Sequence, residues 1–301
     1  MSKYLDNDKF LEPQVNQYGR NMVMTNVVRG ETKHKYINID TKFRDEYNQD
    51  STANYNITLP ERITNVKSII VSNAEIPLTF YNISASLGNN YFAITSDSIV
   101  YSVVIPDGAY GSDALISAIN ENIQAVLFGS TIIYDISGYF SRFQCTDATF
   151  TIHFDVDQTG VFDKYNFKSK LGWILGFRKQ QYTIESTNVL SESFINLNGP
   201  KYVYLVIDEF SQKNPNSFIS PQSGFLMSKN ILARIAINTT VYGFGAILPA
   251  NVFNGYLLTD KRKYSGLIDI KKFNVQLVNE IGIPLNLNGS DFSFCLEVEH
   301  E

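Results

Sequence analysis

The sequence predicts an all-β protein, an antiparallel β-sandwich arranged as a single jelly roll with one or two short helices and long loops. Three observations favour this fold class. The chain holds 18 Tyr and 21 Phe among 301 residues, and aromatic residues suit pleated, half-buried surfaces. Short apolar runs alternate with turn residues along most of the chain. Strands and helices do not alternate, so the pattern does not indicate a parallel sheet.

Residues 1–33 are predicted to form an extended N-terminal arm, because they are polar and no hydrophobic face can be drawn through them. Regular structure is expected from HKYINID onwards, and residues 34–301 are predicted to form one jelly-roll domain with loop insertions. A sandwich of this kind needs roughly 170 to 220 residues. The residues beyond that number are therefore expected in the arm and in loops, and 209–228 is the longest candidate loop.

The strands are predicted from short β-rich runs bounded by turn signals such as Pro60 and Pro77. In one of them, Phe150, Ile152 and Phe154 share a face, as expected of a strand with one side buried. The predicted strands, in chain order, are YNITLP, VKSIIVSNAEIP, NYFAIT, SIVYSVVIP, TIIYDI, YFSRFQC, ATFTIHFDV, KYVYLVID, NILARIAI, NGYLLT, KFNVQLVN and FSFCLEVE.

One helix is predicted after residue 111, where Gly111 or Ser112 can cap its first turn. Gly129 is expected to end it. A second, shorter helical piece is predicted over about 164–175. The apolar stripe of the first helix consists of Leu115, Ile116, Ile119, Ile123, Val126 and Leu127.

Composition and charge argue against several function classes. The formal net charge of −5 does not favour nucleic acid as a partner. No run approaches the ~18 apolar residues of a membrane-spanning helix, and the charged N-terminal sequence does not predict a secretory signal. Cys145 and Cys295 are expected to be buried or half-buried thiols.

No motif predicts catalysis, a cofactor or a metal site, so we expect a protein that is not an enzyme. No His lies near another His, Cys or carboxylate at the spacing of metal ligands. His153 falls on the polar face of a predicted strand and is expected to be solvated or hydrogen-bonded. The acidic run DVDQTG, residues 155–160, lacks the central glycine and closing glutamate of a calcium loop and predicts a plain turn.

The run LGWILGFR, residues 171–178, contains the only Trp of the chain. As a helix it is apolar nearly all round, which predicts burial of Trp173 and Phe177. Gly176 is expected just past the helix end, and Gly172 is expected to let another backbone approach closely. We interpret the run as a packing element. The alternative is that its basic flanks contact a phosphate or a lipid head group; these cations are Lys168, Lys170, Arg178 and Lys179.

Six blocks of the sequence resemble, in order, those of a family of structural proteins from large nucleocytoplasmic DNA viruses. The first, YINIDTKFRD, is similar to the family's Y-(I/V)-x-I-D-S-x-(F/Y)-R-D stretch, with Thr41 in place of the usual Ser and Lys42 after it. The others, which extend the resemblance over about 36–240, are VKSIIVSNAEIPLTFYNIS, GNNYFAI, IPDGAYGSDALISAIN, LGWILGFR and KYVYLVIDEF. The positions that carry the family signature are Phe43, Arg44, Asp45, Pro77, Asp107, Gly108, Tyr110, Leu171, Gly172, Trp173, Gly176, Phe177 and Arg178.

The resemblance implies a single jelly-roll capsid component of the penton type, a homopentamer at the fivefold vertex of an icosahedral virion that is assembled in the host cytoplasm. It implies contacts with other copies of itself, with major and minor capsid proteins and, indirectly, with an inner viral membrane. From the charge and the absence of motifs, no cofactor and no nucleic acid partner are expected. The arm before residue 34 is expected to become ordered on assembly.

Two alternatives remain open. The first is a minor capsid or cement protein of the same family, lying between or beneath the major capsomers. The second is a carbohydrate-binding or receptor-binding jelly roll, in which exposed Tyr242, Tyr256 or Tyr264 would stack on sugars.

Overall fold

The computed structural model describes residues 14–18, 21–25, 31–146, 148–185, 187–211, 218–222, 225–227 and 230–301. Their regular structure consists mainly of antiparallel β-strands, which confirms the predicted all-β class. The helices are α1, Ser112–Val126, and α2, Leu171–Ile174. Short 3-10 turns lie at Thr41–Phe43, Ala85–Leu87 and Lys164–Ser169.

The strands are described in chain order. They are β1 Gln14–Tyr18, β2 Asn21–Thr25, β3 Lys33–Asp40, β4 Asn54–Pro77, β5 Tyr91–Ser96, β6 Ile99–Val104, β7 Ile133–Ser137, β8 Phe140–Gln144, β9 Thr149–His153, β10 Gln181–Glu185, β11 Asn188–Phe194, β12 Tyr202–Asp208, β13 Ser220–Gln222, β14 Phe225–Met227, β15 Ile231–Ala236, β16 Ile247–Asn251, β17 Leu257–Thr259, β18 Arg262–Val278 and β19 Ser293–His300.

The largest sheet has the strand order β17-β15-β12-β18-β4-β19-β3, and β16 pairs with β4 beside that path. β4 is 24 residues long and pairs with β18 along its first part, β19 along its second and β16 at its end. The β4–β18 register shifts between Ile268 and Ile270 and again between Ile270 and Lys272. Such bulges increase the local twist, so the sheet curls around its own apolar face.

The second body of β-structure consists of two smaller sheets in the middle of the chain. One has the order β10-β9-β5-β6 and the other the order β11-β8-β7. α1 lies against β6 and β7. Its fully buried Leu115, Ile119 and Ile123 belong to the predicted apolar stripe, and Gly111 is its N-cap.

The buried apolar side chains therefore form two main cores. The larger core is built from the curled sheet, with residues from 39–80 and 203–298. The smaller core is built from 83–184, with α1 packed into it. Among the described residues, no helix has both the length and the apolar character needed to cross a membrane.

Pro60 does not divide two strands as predicted, because β4 runs through it. The register shift that separates the pair Ile270–Ile63 from the pair Lys272–Thr58 lies opposite Pro60. A bulge tolerates the missing N–H of proline, so the turn residue becomes a bend inside a long strand.

Several strands were not predicted. β1 and β2 pair within the proposed arm, whose remaining residues up to 30 lie outside the described residues. β13 and β14 pair within the 209–228 stretch expected to be a loop. β10 and β11 are short strands whose sequences carry many polar residues, and β16 contains Pro249, so the strand signal of all three is weak.

The second predicted helical piece is shorter than expected. The span 164–175 divides into a 3-10 turn, Lys164–Ser169, and the four-residue α2.

Candidate functional site

The residues of the family signature lie in four separate places rather than in one site. Phe43, Arg44 and Asp45 follow β3, Pro77 ends β4, and Asp107 to Tyr110 precede α1. Leu171 to Arg178 form α2 and the turn after it.

Arg44 ties the turn after β3 to the start of β19. Its side chain is 7% exposed, and it donates to the carbonyls of Thr41, Tyr47 and Asp50 at 2.8 to 3.2 Å. It also lies 3.3 Å from Oδ1 of Asp291, an atom that accepts a hydrogen bond from the Thr41 hydroxyl at 2.7 Å. A guanidinium that satisfies this many acceptors fixes the loop and leaves little for a ligand.

Asp45 ties the same turn to β4. Its carboxylate accepts hydrogen bonds from the N–H and the hydroxyl of Thr58, at 2.8 and 2.7 Å. Burial alone would raise the pKa of this carboxyl, but the Thr58 bonds and the charge of Lys272 outweigh it and lower the pKa. Phe43, by contrast, is exposed and lies under the Lys42 ammonium.

The PDGAY stretch forms a turn that is hydrogen-bonded to the segment between β4 and β5. Gly108 exchanges two backbone hydrogen bonds with Ile83, and Oδ1 of Asp107 accepts the Ala85 N–H at 2.7 Å. The Tyr110 hydroxyl donates to the Pro106 carbonyl at 2.8 Å, and burial followed by the nearby carboxylates raises the pKa of Tyr110. These contacts are structural.

Asn82 is the residue in this region that the sequence analysis missed. It exchanges hydrogen bonds with the backbone of Tyr110 and also donates to the Leu197 carbonyl at 2.7 Å. One side chain thereby joins three chain segments. The only sequence signal was its place in the YNIS block.

LGWILGFR forms one helical turn closed by a Schellman motif. The Phe177 N–H donates to the Gly172 carbonyl at 2.8 Å, and the Gly176 N–H donates to the Trp173 carbonyl at 3.2 Å. Gly176 has φ +95°, the left-handed conformation expected of a glycine just past a helix end. This prediction is confirmed.

The close approach predicted at Gly172 is made by a side chain rather than by another backbone. A Cβ on Gly172 would lie 2.3 Å from the Phe154 ring. The close backbone contact lies instead at Gly176, where a Cβ would meet the Ser193 carbonyl oxygen at 2.1 Å. Both glycines are required by packing.

Phe177 and Leu171 are fully buried in the smaller core, as predicted for Phe177. The Phe177 ring stacks on Phe154 at 5.0 Å between centroids. Trp173, also predicted to be largely buried, packs against the edge of the smaller core and is partly exposed. Phe167 contacts its ring edge to face, and the indole also lines a cleft.

Arg178 is held against Trp173. Its guanidinium carbon lies 4.0 Å from the indole centroid, and Nη1 donates to the carbonyls of Trp173 and Phe177, both at 3.0 Å. Its own N–H donates to Glu192 and to the Tyr182 hydroxyl. Burial and the adjacent Glu192 carboxylate raise the pKa of Tyr182 to about 12.

A cleft of about 710 Å³ lies between the two cores. Trp173 and Ile174 line it from the smaller core, and Leu285 lines it from the larger core. Tyr202, at the start of β12, and Asn279, just after β18, also line it on that side. The sequence did not predict any residue of the larger-core side as part of a site.

The charged residues of the cleft are mostly basic. Lys168, Arg178 and Lys201 line it together with one carboxylate, Glu280. Burial raises the pKa of Glu280, opposed by the positive charge of Lys201. The cations at 168 and 178 lie in the predicted basic flanks of LGWILGFR, whereas Lys170 turns away and donates to the Tyr91 hydroxyl at 2.7 Å.

A buried ion pair was also missed by the sequence analysis. Arg262, at the start of β18, donates to Glu209 and to the Ile207 carbonyl, both at 2.8 Å. The two side chains are 2% and 0% exposed. Burial raises the pKa of Glu209, and the Arg262 charge opposes that effect. Residues separated by 53 positions in the chain carry no pairing signal in the sequence.

The titratable side chains were predicted to form no metal site. No set of three or more His, Cys, Asp or Glu side chains there could hold a metal ion. His153 is 9% exposed rather than on a wet face, and its Nε2 lies 2.9 Å from the Thr95 hydroxyl. Burial lowers the pKa of His153. The DVDQTG run forms the predicted turn, around hydrogen bonds to Asp157.

The tyrosines proposed to stack on sugars are not exposed. Tyr242, Tyr256 and Tyr264 are half-buried against the larger core. Tyr242 and Tyr256 contact each other edge to face, at 5.8 Å between centroids.

The fold and these contacts define an antiparallel all-β protein whose signature residues serve turns and packing. No family model matches the sequence, and no curated protein matches it. A crystal structure of SeMet-labeled mavirus penton protein is similar to this chain, with a TM-score of 0.45, 10% identity, and an alignment that covers 89% of this chain and 100% of that one. A likeness at this TM-score carries no argument about function.

Proposed function

We propose that the chain is a viral structural protein, a penton-type capsid component that forms a homopentamer at the icosahedral fivefold vertex. The observation that carries the proposal is the ordered series of six sequence blocks. Three of them supply the turn contacts of Arg44, the PDGAY turn and the Schellman turn at Gly176. Blocks with structural roles of this kind are expected of a scaffold protein.

The exposed apolar side chains of the 241–258 segment support assembly into an oligomer. β16 and β17 lie within this segment, and each pairs with one described strand. Isolated apolar side chains are normal on a surface, whereas a concentration of them indicates an interface. The exposed apolar residues of the segment are Val241, Phe244, Ile247, Val252, Phe253 and Leu258.

The mechanism is geometric. In a closed ring each subunit presents one patch to its neighbour on one side and a different patch to its neighbour on the other. The 241–258 segment supplies one such patch. The other partners proposed for the protein are the major and minor capsid proteins and, through them, an inner membrane. The protein would act in the virion, which is assembled in the host cytoplasm.

The proposal is tested by the oligomeric state of the purified chain, measured by native mass spectrometry. We expect a pentamer that Phe253→Asp dissociates, because Phe253 is fully exposed and a charge in an apolar interface costs binding free energy. Phe128→Asp is the matched control, since Phe128 is 98% exposed but follows α1, away from the segment. A monomer at all concentrations, or equal effects of the two variants, would contradict the proposed interface.

The minor capsid or cement role is separated from the penton role by copy number in purified particles. About five copies per vertex support the penton, and hundreds per particle support cement.

Deletion of residues 2–30 tests the arm in the same particles. Normal assembly without these residues would show that the arm does not tie the vertex to its surroundings.

A further inference from the structure

The cleft carries more positive than negative charge. Lys168 and Arg178 form no salt bridge with a described residue, whereas Lys170, Arg142 and Arg262 each face a carboxylate. Lys201 interacts with the Glu280 carboxylate on the same wall. The chain as a whole has a net charge of −5, so this excess of positive charge is local. A concave site lined by one sign of charge attracts ligands of the opposite sign.

Arg178 presents a preorganised fork. Its Nη1 is occupied by two backbone carbonyls, and its plane is held on the Trp173 ring. Its Nε and Nη2 donate to no residue in the described part of the chain. These two nitrogens form the edge that binds a carboxylate or sulfate through two parallel hydrogen bonds, and a held side chain loses little entropy on binding.

The same cleft contains groups suited to hydroxyls. Asn279 is 7% exposed, and its Oδ1 accepts the N–H groups of Ile281 and Ile283. Its Nδ2 donates to no described residue, so it remains available to an oxygen acceptor. Glu280 lies on the same wall of the cleft.

Apolar surface and size complete the site. Trp173, Ile174 and Tyr202 provide surfaces for the C–H faces of a sugar ring, and about 710 Å³ lies within the range of small-ligand sites. A peptide strand is disfavoured, because the nearby edge of β11 is already paired. The Ser193 N–H donates to the Gly176 carbonyl, and the Asn196 N–H just beyond β11 donates to Ile174.

We propose that this cleft binds an acidic saccharide, with the carboxylate or sulfate on the Arg178 fork and the sugar ring between Trp173 and Tyr202. Lys168 and Lys201 supply the surrounding positive charge. The site is independent of the capsid role, because it is complete within one chain.

The test uses the full chain and its single tryptophan, since Trp173 fluorescence reports on the cleft directly. The probes are 3′-sialyllactose and a sulfated heparin disaccharide, with neutral lactose and AMP for comparison. We expect the acidic sugars to change the fluorescence with saturation, and lactose and AMP to do so at least about tenfold more weakly.

Variants locate the effect. Arg178→Lys keeps the charge but loses the fork, and Lys168→Gln removes an exposed charge that makes no described contact; each is expected to raise Kd about tenfold. Lys179→Gln, which changes the exposed neighbour outside the cleft, is the matched control and is expected to change Kd less than about twofold.

Three results would overturn the proposal: no saturable response to either acidic sugar, a response to lactose or AMP of equal strength, or a Lys179→Gln effect as large as that of Lys168→Gln. If Arg178→Lys destabilises the fold, the test depends on Lys168→Gln. We expect the unfolding curve of Lys168→Gln to match that of the unmodified chain.

Discussion

At the scale of single residues, Gly176 combines two constraints that an alanine cannot meet. Its φ of +95° is unfavourable for an L-residue, and a Cβ would lie 2.1 Å from the Ser193 carbonyl oxygen. The contact is with backbone, so β11 would have to move away from the turn after α2. The two effects add, because one is local strain and the other is a steric clash with another element.

We therefore predict that Gly176→Ala lowers the free energy of unfolding by about 2–4 kcal/mol in urea titrations. Gly129→Ala separates the two causes, since Gly129 has φ +75° but nothing within 4 Å of a built Cβ. It should cost only about 1 kcal/mol. Equal losses in the two variants would show that the Ser193 contact is relieved without cost.

Asp45 makes stability depend on pH. Its pKa is lower in the folded chain than in the unfolded chain, so its contribution is present above the unfolded pKa and is lost as the pH falls through the folded pKa. Asp45→Asn should therefore be less stable than the unmodified chain near about pH 6, with a difference that shrinks towards about pH 3.

The measurement is the free energy of unfolding across that pH range. Asp97→Asn is the control, because Asp97 lies in an exposed turn and no hydrogen bond joins it to a described residue. Its curve should run parallel to that of the unmodified chain. A constant difference for Asp45→Asn at every pH would contradict the role of the Thr58 bonds.

At the scale of elements, the buried Arg262–Glu209 pair joins the start of β18 to the end of β12. Removal of one partner leaves a buried charge unpaired, which costs about 3–5 kcal/mol. We predict losses of this size for Arg262→Met and for Glu209→Leu in chemical unfolding. In the double variant, the loss of unfolding free energy should be smaller than the sum of the two single losses by about 2 kcal/mol or more, because no unpaired charge remains. Additive losses would contradict a direct coupling.

How much of each element could be predicted depends on how local its signal is. α1 was predicted correctly because its apolar stripe and its cap are contained in one stretch of sequence. The position of Gly176 just past the end of a helix was predicted for the same reason. β10 and β11 were not, because each is a short, polar strand stabilised by pairing with β9 or β8.

The cleft could not be predicted from sequence. Its walls come from distant segments, and Arg178 and Lys201 meet there only because the two cores lie side by side. Contacts between residues that are far apart in the chain depend on the whole fold, so they leave no pattern in a short stretch of sequence.

At the scale of the whole molecule, the division into two cores bears on the prediction that 34–301 is one domain. The smaller core is contributed by a continuous stretch, 83–184, inserted between the two stretches that build the larger core. Such a stretch has its own buried side chains. Cores of this kind often open as separate cooperative units in native-state hydrogen exchange.

Phe143→Ala tests this separation. Phe143 is fully buried and contacts the rings of Phe92, Tyr134, Phe154 and Phe177, so its truncation should cost about 3–5 kcal/mol. We predict that amide exchange then accelerates across 83–184 while β4, β18 and β19 stay protected. Phe294→Ala, at an equally buried position in the larger core, should give the reverse pattern. If either variant accelerates exchange equally in both regions, the two cores unfold as one cooperative unit, and the cleft between them cannot open without global unfolding.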